Sequence, residues 1–418
     1  MDINVQSLLN NKNFISSSDF LYGKGKEEYQ AKRYANLYEV HKKAYGDNGI
    51  FFSSPGRIEV CGNHTDHNNG KVLCASISVD TLACVTKQEN RITIASIGYP
   101  VVDVDINDLK VNKDEFGKSE GLVRGVVAYF KQNGYKVGGF AASTTSDVFK
   151  GAGVSSSASF ELLVAEILNV LYNDGKIDAI TKAKAAHMGE SEYFGKPCGL
   201  LDQSAISIGS VSYIDFKSTQ NPKVEQIKWP FEDLAIVITN TGGDHCNLTG
   251  EYAAIRQEME AVAKIFNKKT LRKLKEEDFY AHIPYLRGKV SDRALERAIH
   301  FYNENRRVDV AKKALVKGQE KKFVDMVNQS GISSLTMLQN CFPNGATAQP
   351  IPLGIALSKQ IEGVKAVRVH GGGFAGTIIA YMPKAVVKDY IEKMTPVFGE
   401  ENIFHVEVRN CGTCKVEL

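Results

Sequence analysis

The sequence predicts a two-domain α+β protein, and three observations carry that reading. At 418 residues the chain is too long for one ordinary core. Strand-like and helix-like segments are interleaved, but not as a regular βαβ repeat, which argues against a doubly wound parallel sheet. No internal repeat or low-complexity tract interrupts them. The division is expected within 215–235, giving an N-terminal domain over 1–220 and a C-terminal domain over 221–418.

The elements follow in chain order. Residues 27–45 are helix-compatible, with Tyr29, Tyr34, Leu37, Val40 and Tyr45 near helical spacing. "GIFFSSPGRIEVCG" reads as a strand meeting a loop, and "DTLACVTKQENRITIASIG" as two strands about a polar turn. In "VVDVDIND", Val102, Val104 and Ile106 share one face and Asp103, Asp105 and Asn107 the other, the pattern of a half-buried strand. A helix is predicted over 119–133 through Leu122, Val126, Val127 and Phe130, with Ser119 as N-cap and Gly134 as stop. "FELLVAEILNVL" is an apolar helix ended by "NDG", and 178–194 is a helix stopped by Gly195 and Pro197. "VSYIDF" and "LAIVITNT" are strand-like. Residues 252–266 carry Ile255, Met259, Val262 and Phe266 on one helical stripe, and "AVRVHGGGFAGTIIAYM" is strand, glycine turn, strand.

Composition narrows the function. A net charge of +3 leaves no basic stripe, so neither nucleic acid nor an acidic membrane surface is an expected partner. No signal peptide and no bilayer-spanning run is read, so the cytoplasm is expected. The eight cysteines are scattered and read as reduced thiols; Cys411 and Cys414 form one C-x-x-C, with no second pair to complete a zinc site.

Three stretches carry chemistry. "GNHTDHNNG" at 62–70 packs His64, Asp66 and His67 into one short loop. It reads as a metal site, a catalytic base with helpers, or a grip on hydroxyl groups. "GAGVSSSASFELL" at 151–163 sets glycines and serines at a helix start, where free N–H groups and the helix dipole favour a phosphate, and where a hydroxyl suits Mg²⁺. A plain Gly/Ser N-cap fits equally well, and no Walker A motif occurs. "KPCGLLDQSAISIG" puts Asp202 after a Pro/Gly break, where a lone Asp is ordinarily a cap or turn residue. The later "VHGGGFAGT" reads as a hairpin turn.

Together, in this order, these stretches resemble the GHMP kinases, and among them the galactokinase family. "PGRIEVCGNHTDHNNG" matches that family's sugar motif, "GAGVSSSASFE" its serine loop, "PCGLLDQ" its aspartate block and "GGGFAG" its late glycine block. The resemblance implies a cleft between two α+β domains, and phosphorylation of a galacto-configured sugar at C1 with ATP and Mg²⁺. By the same resemblance, Asp202 and Arg57 are catalytic, and Asn63, His64, Asp66, Gly199 and Tyr252 contact the sugar. Gly151, Gly153, Ser155, Ser156, Ser157 and Ala158 hold ATP, and Ser157 and Glu190 hold the metal. The partners expected are sugar and ATP, and the chain is expected to be a monomer.

The chain departs from the family at Glu59 (Asn), Cys61 (Ile), Asn63 (Glu), His67 (Tyr) and Ala375 (Gly). The family's glutamate at position 63 meets the C6 hydroxyl. Plant galacturonate kinases also lack it and also have histidine for the tyrosine. Galactose is therefore the first expectation and a uronate the second. A non-catalytic sugar sensor, or a kinase of mevalonate or homoserine, fits the intact serine loop and the "HTD" loop less well.

Overall fold

The computed structural model describes residues 3–148, 153–196, 198–243, 248–374 and 376–418. Three helices open the chain, α1 (Val5–Leu9), α2 (Lys12–Tyr22) and α3 (Glu27–Tyr45). α3 covers the helix predicted over 27–45, but its buried stripe differs. Ala31, Tyr34, Ala35, Leu37, Tyr38 and His41 are buried, whereas Tyr29 and Val40 face solvent. The small residues at 31 and 35, absent from the predicted stripe, let the helix lie close on the sheet.

The first sheet is built on one long hairpin, β1 (Ile50–Cys61) and β2 (Lys71–Gln88). β3 (Arg91–Ser96), β4 (Val102–Asp105), β5 (Gly139–Ser146), β6 (Val211–Asp215), β7 (Lys223–Ile227) and the C-terminal β12 (Cys414–Lys415) complete it. The order is β12-β1-β2-β5-β3-β4, with β6 paired to β2 and β7 to β6; among the described residues only β3 and β5 pair in parallel. β1 is buried almost throughout, without alternation, because both faces are covered. Phe51 joins the core under α1–α3. Phe52 joins that under α4 (Ser119–Gln132) and α5 (Ser156–Tyr172). α6 (Ala179–Met188) continues into a π turn over Gly189–Tyr193, and α7 (Leu201–Ile208) packs on α5, α6, β1 and β2. Ser119 is the first residue of α4 and not its cap; Lys118 holds the cap position, with no side-chain cap bond.

The second sheet has the order β11-β8-β10-β9, from β8 (Leu234–Asn240), β9 (Ala366–His370), β10 (Thr377–Pro383) and β11 (Ile403–Val406). Between β8 and β9 run α8 (Thr249–Ile265), α9 (Glu276–Ala281), α10 (Ile283–Leu286), α11 (Asp292–Val316), α12 (Glu320–Ser333) and α13 (Pro350–Lys359). α14 (Val387–Phe398) follows β10. The chain changes sheet between β7 and β8. One apolar core then joins both halves, with Ile58, Val60 and Ile77 packed with Val308, Phe323, Ile236 and Tyr381.

A polar seam joins the halves as well. Arg368 donates to Val60 O at 3.0 Å and to Glu59 Oε1 at 2.9 Å. The Glu59 amide donates to His370 Nε2 at 3.1 Å, and the Gly62 amide to Glu304 Oε1 at 2.9 Å. The β1–β2 turn, residues 62–70, is thereby held against the second half of the molecule.

Candidate active site

The site begins at a bulge. Register between β1 and β2 shifts between Pro55 and Arg57, and such a bulge re-aims the side chain that follows. Arg57 turns to Asp202, in the first turn of α7, and pairs with it at two points: Nε to Oδ1 at 2.7 Å and Nη2 to Oδ2 at 2.8 Å. Ser155 Oγ also donates to Asp202 Oδ2, and Arg57 Nη1 to Gly153 O. Arg57 is 7% exposed in its side chain and Asp202 36%, so the pair is rooted in protein and opens on one side. Burial alone raises the Asp202 carboxyl; the Arg57 charge and the bonds from Arg57 and Ser155 outweigh it and hold the group below the usual aspartate range.

The serine loop leads into α5. Gly153 has φ +67° and a Cβ there would lie 2.4 Å from Thr377 Oγ1, so glycine is required twice over. Ser155 takes the left-handed φ of 63° and makes no side-chain cap bond, because its hydroxyl is spent on Asp202. The first-turn amides of α5, from Ser156 onward, are therefore without a side-chain cap, the arrangement that receives an anion. Ser157 Oγ donates to Glu190 Oε1 at 3.0 Å, and Ala158 is buried. Gly151 lies outside the described residues.

Glu190, on the π turn, is 3% exposed. It also accepts from Lys196 Nζ at 2.9 Å and from Gln203 Nε2 at 2.7 Å. Sequence reasoning missed Gln203, Lys196 and Glu161. Glu161 stands one helical turn after Ser157 in an apolar helix, a signal available in the sequence. It is fully buried, and burial, then the charge of Glu190, pushes its carboxyl well above the usual range. Neither Glu161 oxygen nor Gln203 Oε1 has a hydrogen-bond partner as a charged group would need. Burial thus favours the neutral carboxylic acid at Glu161, and Gln203 is its polar neighbour, opposing the shift. Glu161→Gln is accordingly expected to cost under about 1 kcal/mol, and Glu161→Ala about 2–4 kcal/mol from the cavity and the stranded amide. Urea unfolding of both variants checks this; equal damage would mean position 161 carries a charge.

The loop at 62–70 closes over the Asp202 side. His64, at φ 54°, sets its Nε2 2.9 Å from Gly372 O. Asp66 lies against the backbone of Gly199, where a Cβ would fall 1.8 Å from its Oδ2. Burial raises the Asp66 carboxyl, with the Asp202 charge adding and His64 opposing. Tyr252 donates to Gly373 O at 3.0 Å, and its ring covers Gly372, where a Cβ would meet it at 2.7 Å. The glycine turn between β9 and β10 thus offers successive carbonyls, from Gly371, Gly372 and Gly373, to Asn63, His64 and Tyr252. It is a hairpin, as predicted, and it also racks the loop.

Asn63 stands apart from the other expected sugar contacts. It is 0% exposed. Its amide donates to Glu59 Oε2 at 3.1 Å and Gly371 O at 2.8 Å, and its oxygen accepts from Asn340 at 2.8 Å and Ser334 at 3.2 Å. No donor or lone pair remains for a sugar. Both readings of substrate that turned on an Asn63 contact at C6 lose that footing; the residue organises the loop from behind. His67 is buried at its Nε2, which has no partner; burial and nearby positive charge hold it neutral.

The same segments match known proteins. The galactokinase galactose-binding signature covers residues 39–87, and the GHMP kinases N-terminal domain residues 121–210. A galactokinase of Clostridium tetani (strain Massachusetts / E88) is 30% identical over 371 residues, 86% of this chain and 92% of that one. A galactokinase of Pyrococcus furiosus is 30% identical over 355 residues, 83% and 95% of the two chains. The crystal structure of Lactococcus lactis galactokinase complexed with galactose is similar with a TM-score of 0.79 at 25% identity, covering 92% of this chain and 100% of that one. Methanococcus jannaschii mevalonate kinase shares the fold alone, with a TM-score of 0.60 at 14% identity over 86% and 98%.

Proposed function

The chain belongs to the galactokinase family of the GHMP kinases, and from that premise we propose that it transfers the γ-phosphoryl group of ATP to the C1 hydroxyl of galactose. The observation that carries the reading is the two-point Arg57–Asp202 pair, open on one side, between the Asp66–Gly199 contact and the serine loop. Phosphoryl transfer asks the protein for alignment and charge neutralisation more than for covalent chemistry. Asp66, an acceptor with two oxygens, grips adjacent sugar hydroxyls, with His64, Tyr252 and the Gly199 backbone beside it. Asp202 accepts the hydrogen bond of the C1 hydroxyl. Held ionised by Arg57, it is a weak base, so it aligns the hydroxyl first and receives the proton as the new P–O bond acidifies it. Arg57 spans Asp202 and the transferred phosphoryl group.

The backbone from Gly153 to Ala158 holds the ATP phosphates at the α5 N-terminus. Ser157 and Glu190 would hold Mg²⁺: a hydroxyl and a carboxylate 3.0 Å apart are the hard oxygen donors that ion takes, alongside water and phosphate oxygens. The ion, when bound, neutralises charge on the phosphates.

The test is ADP release with Mg-ATP against galactose, galacturonate, N-acetylgalactosamine, glucose and arabinose. Galactose is expected to turn over fastest. Preference for galacturonate would mean that another group than Asn63 meets C6; ATP binding without turnover on any sugar would point to a sensor.

A further inference from the structure

The C-terminal C-x-x-C has no part in the site described so far. Cys411 and Cys414 are free thiols, both partly exposed, with their Sγ atoms 3.9 Å apart. Arg409, fully buried, donates to Cys414 Sγ at 3.4 Å and to Gly412 O at 3.1 Å. The Cys411 thiol is pulled down to about 6, by the hydrogen bond from Cys414 first and the Arg409 charge next, against burial; Cys414 is pushed up in return. Low thiol pKa, access and a resolving partner within reach are what a redox-active pair requires.

The segment between the two sulfurs is fastened to the catalytic helix. The Thr413 amide donates to Ile206 O at 3.1 Å in α7, and the Ser210 amide to Arg409 O at 3.0 Å. Gly412 N touches Gly209, where a Cβ would fall 1.9 Å away. Thr413 Oγ1 pairs with Ser54 Oγ at 2.8 Å, three residues before Arg57 on β1.

We propose that Cys411 and Cys414 form a reversible dithiol–disulfide site whose closure is felt through α7 and β1 as a change in the rate of phosphoryl transfer. The oxidant is a low-molecular-weight disulfide of the glutathione class. The Cys411 thiolate attacks one of its sulfurs, forming a mixed disulfide and expelling one thiolate. Cys414 then gives its proton to solvent and attacks Cys411 Sγ, expelling the second thiolate. The cysteine pair loses two electrons and two protons, and the external disulfide becomes two thiols. Closure draws the sulfurs from 3.9 Å to about 2.05 Å and withdraws Cys414 from Arg409. Gly412 and Thr413 carry that shift to the last turn of α7, whose first turn holds Asp202.

The rate effect rests on the kinase reading; the disulfide does not. The full-length protein is equilibrated in glutathione buffers of rising oxidised fraction. Peptide mass mapping, amide hydrogen exchange over 201–210 and ADP release are then read together. Expected are a Cys411–Cys414 disulfide, altered exchange in α7, and a kcat lowered about threefold or more, since small misplacements of reacting groups cost rate steeply. Dithiothreitol restores the rate, and Cys411→Ser and Cys414→Ser hold the reduced rate in every buffer. Absence of the disulfide in the most oxidising buffer overturns the proposal. So does a disulfide that leaves both exchange and kcat unchanged, or equal rate loss in the serine variants. If no sugar is phosphorylated at all, the kinase reading fails, and mapping with α7 exchange still decides this one.

Discussion

Asp202→Asn is expected to lower kcat by about 10³-fold while ATP binding stays within a few-fold of wild type. The substitution keeps the shape of the side chain and removes its charge. One of the two oxygens that face Arg57 and Ser155 becomes an N–H₂ donor, so a donor meets a donor at either Oδ1 or Oδ2. Arg57 then loses its two-point anchor, and the sugar hydroxyl loses its acceptor. The serine loop and Glu190 do not touch this change directly, apart from Ser155, which is why nucleotide affinity is the control. ADP release and calorimetric ATP titration measure the two quantities. Near-normal turnover would remove Asp202 from the mechanism. The wild-type acid limb of kcat/KM assigned to Asp202 is expected below the ordinary aspartate range, because its carboxyl is held low in the folded protein.

Glu304→Ala is expected to cost about 3–5 kcal/mol of stability, the usual result of stripping one partner from a buried charge pair. Glu304 is fully buried on α11. It accepts from Arg307, Ser330 Oγ, Cys61 Sγ at 3.2 Å and the Gly62 amide at 2.9 Å. Burial raises its carboxyl, but Arg307, His300 and Arg368 overcome that and bring it to about 2. A folded-state value below the unfolded one stabilises above the unfolded pKa. That contribution is lost as pH falls from the ordinary glutamate range, about 4.3, towards about 2. Urea unfolding over this range is expected to show a steeper acid loss for wild type than for Glu304→Gln. Because Glu304 anchors Gly62 at the root of the sugar loop, the KM for sugar is expected to rise in the Ala variant, more than the KM for ATP. Unchanged unfolding midpoints for both variants would show that the seam between the halves does not depend on this carboxylate.

Local physics made part of this molecule legible in the sequence. The alternation of Val102 and Val104 marked β4, and the apolar run after Ser157 marked α5. Glycine and serine chemistry at 153–157 marked a helix start. Those signals depend on neighbours a few residues away, and they survive folding. The seam linking Glu59, Asn63, Glu304, Arg368, His370 and the glycine turn joins residues up to 311 positions apart, and no local pattern announces it. The Ser155 hydroxyl reaches Asp202, a partner 47 positions away, and Asn63, expected at the sugar, is sealed behind the loop. In both cases the residue type fixed what the side chain could bond, a hydroxyl or an amide with donor and acceptor. Tertiary packing decided which partner each one met: Ser155 is half-buried beside Asp202, and Asn63, fully buried, takes the protein partners around it, as buried polar groups do.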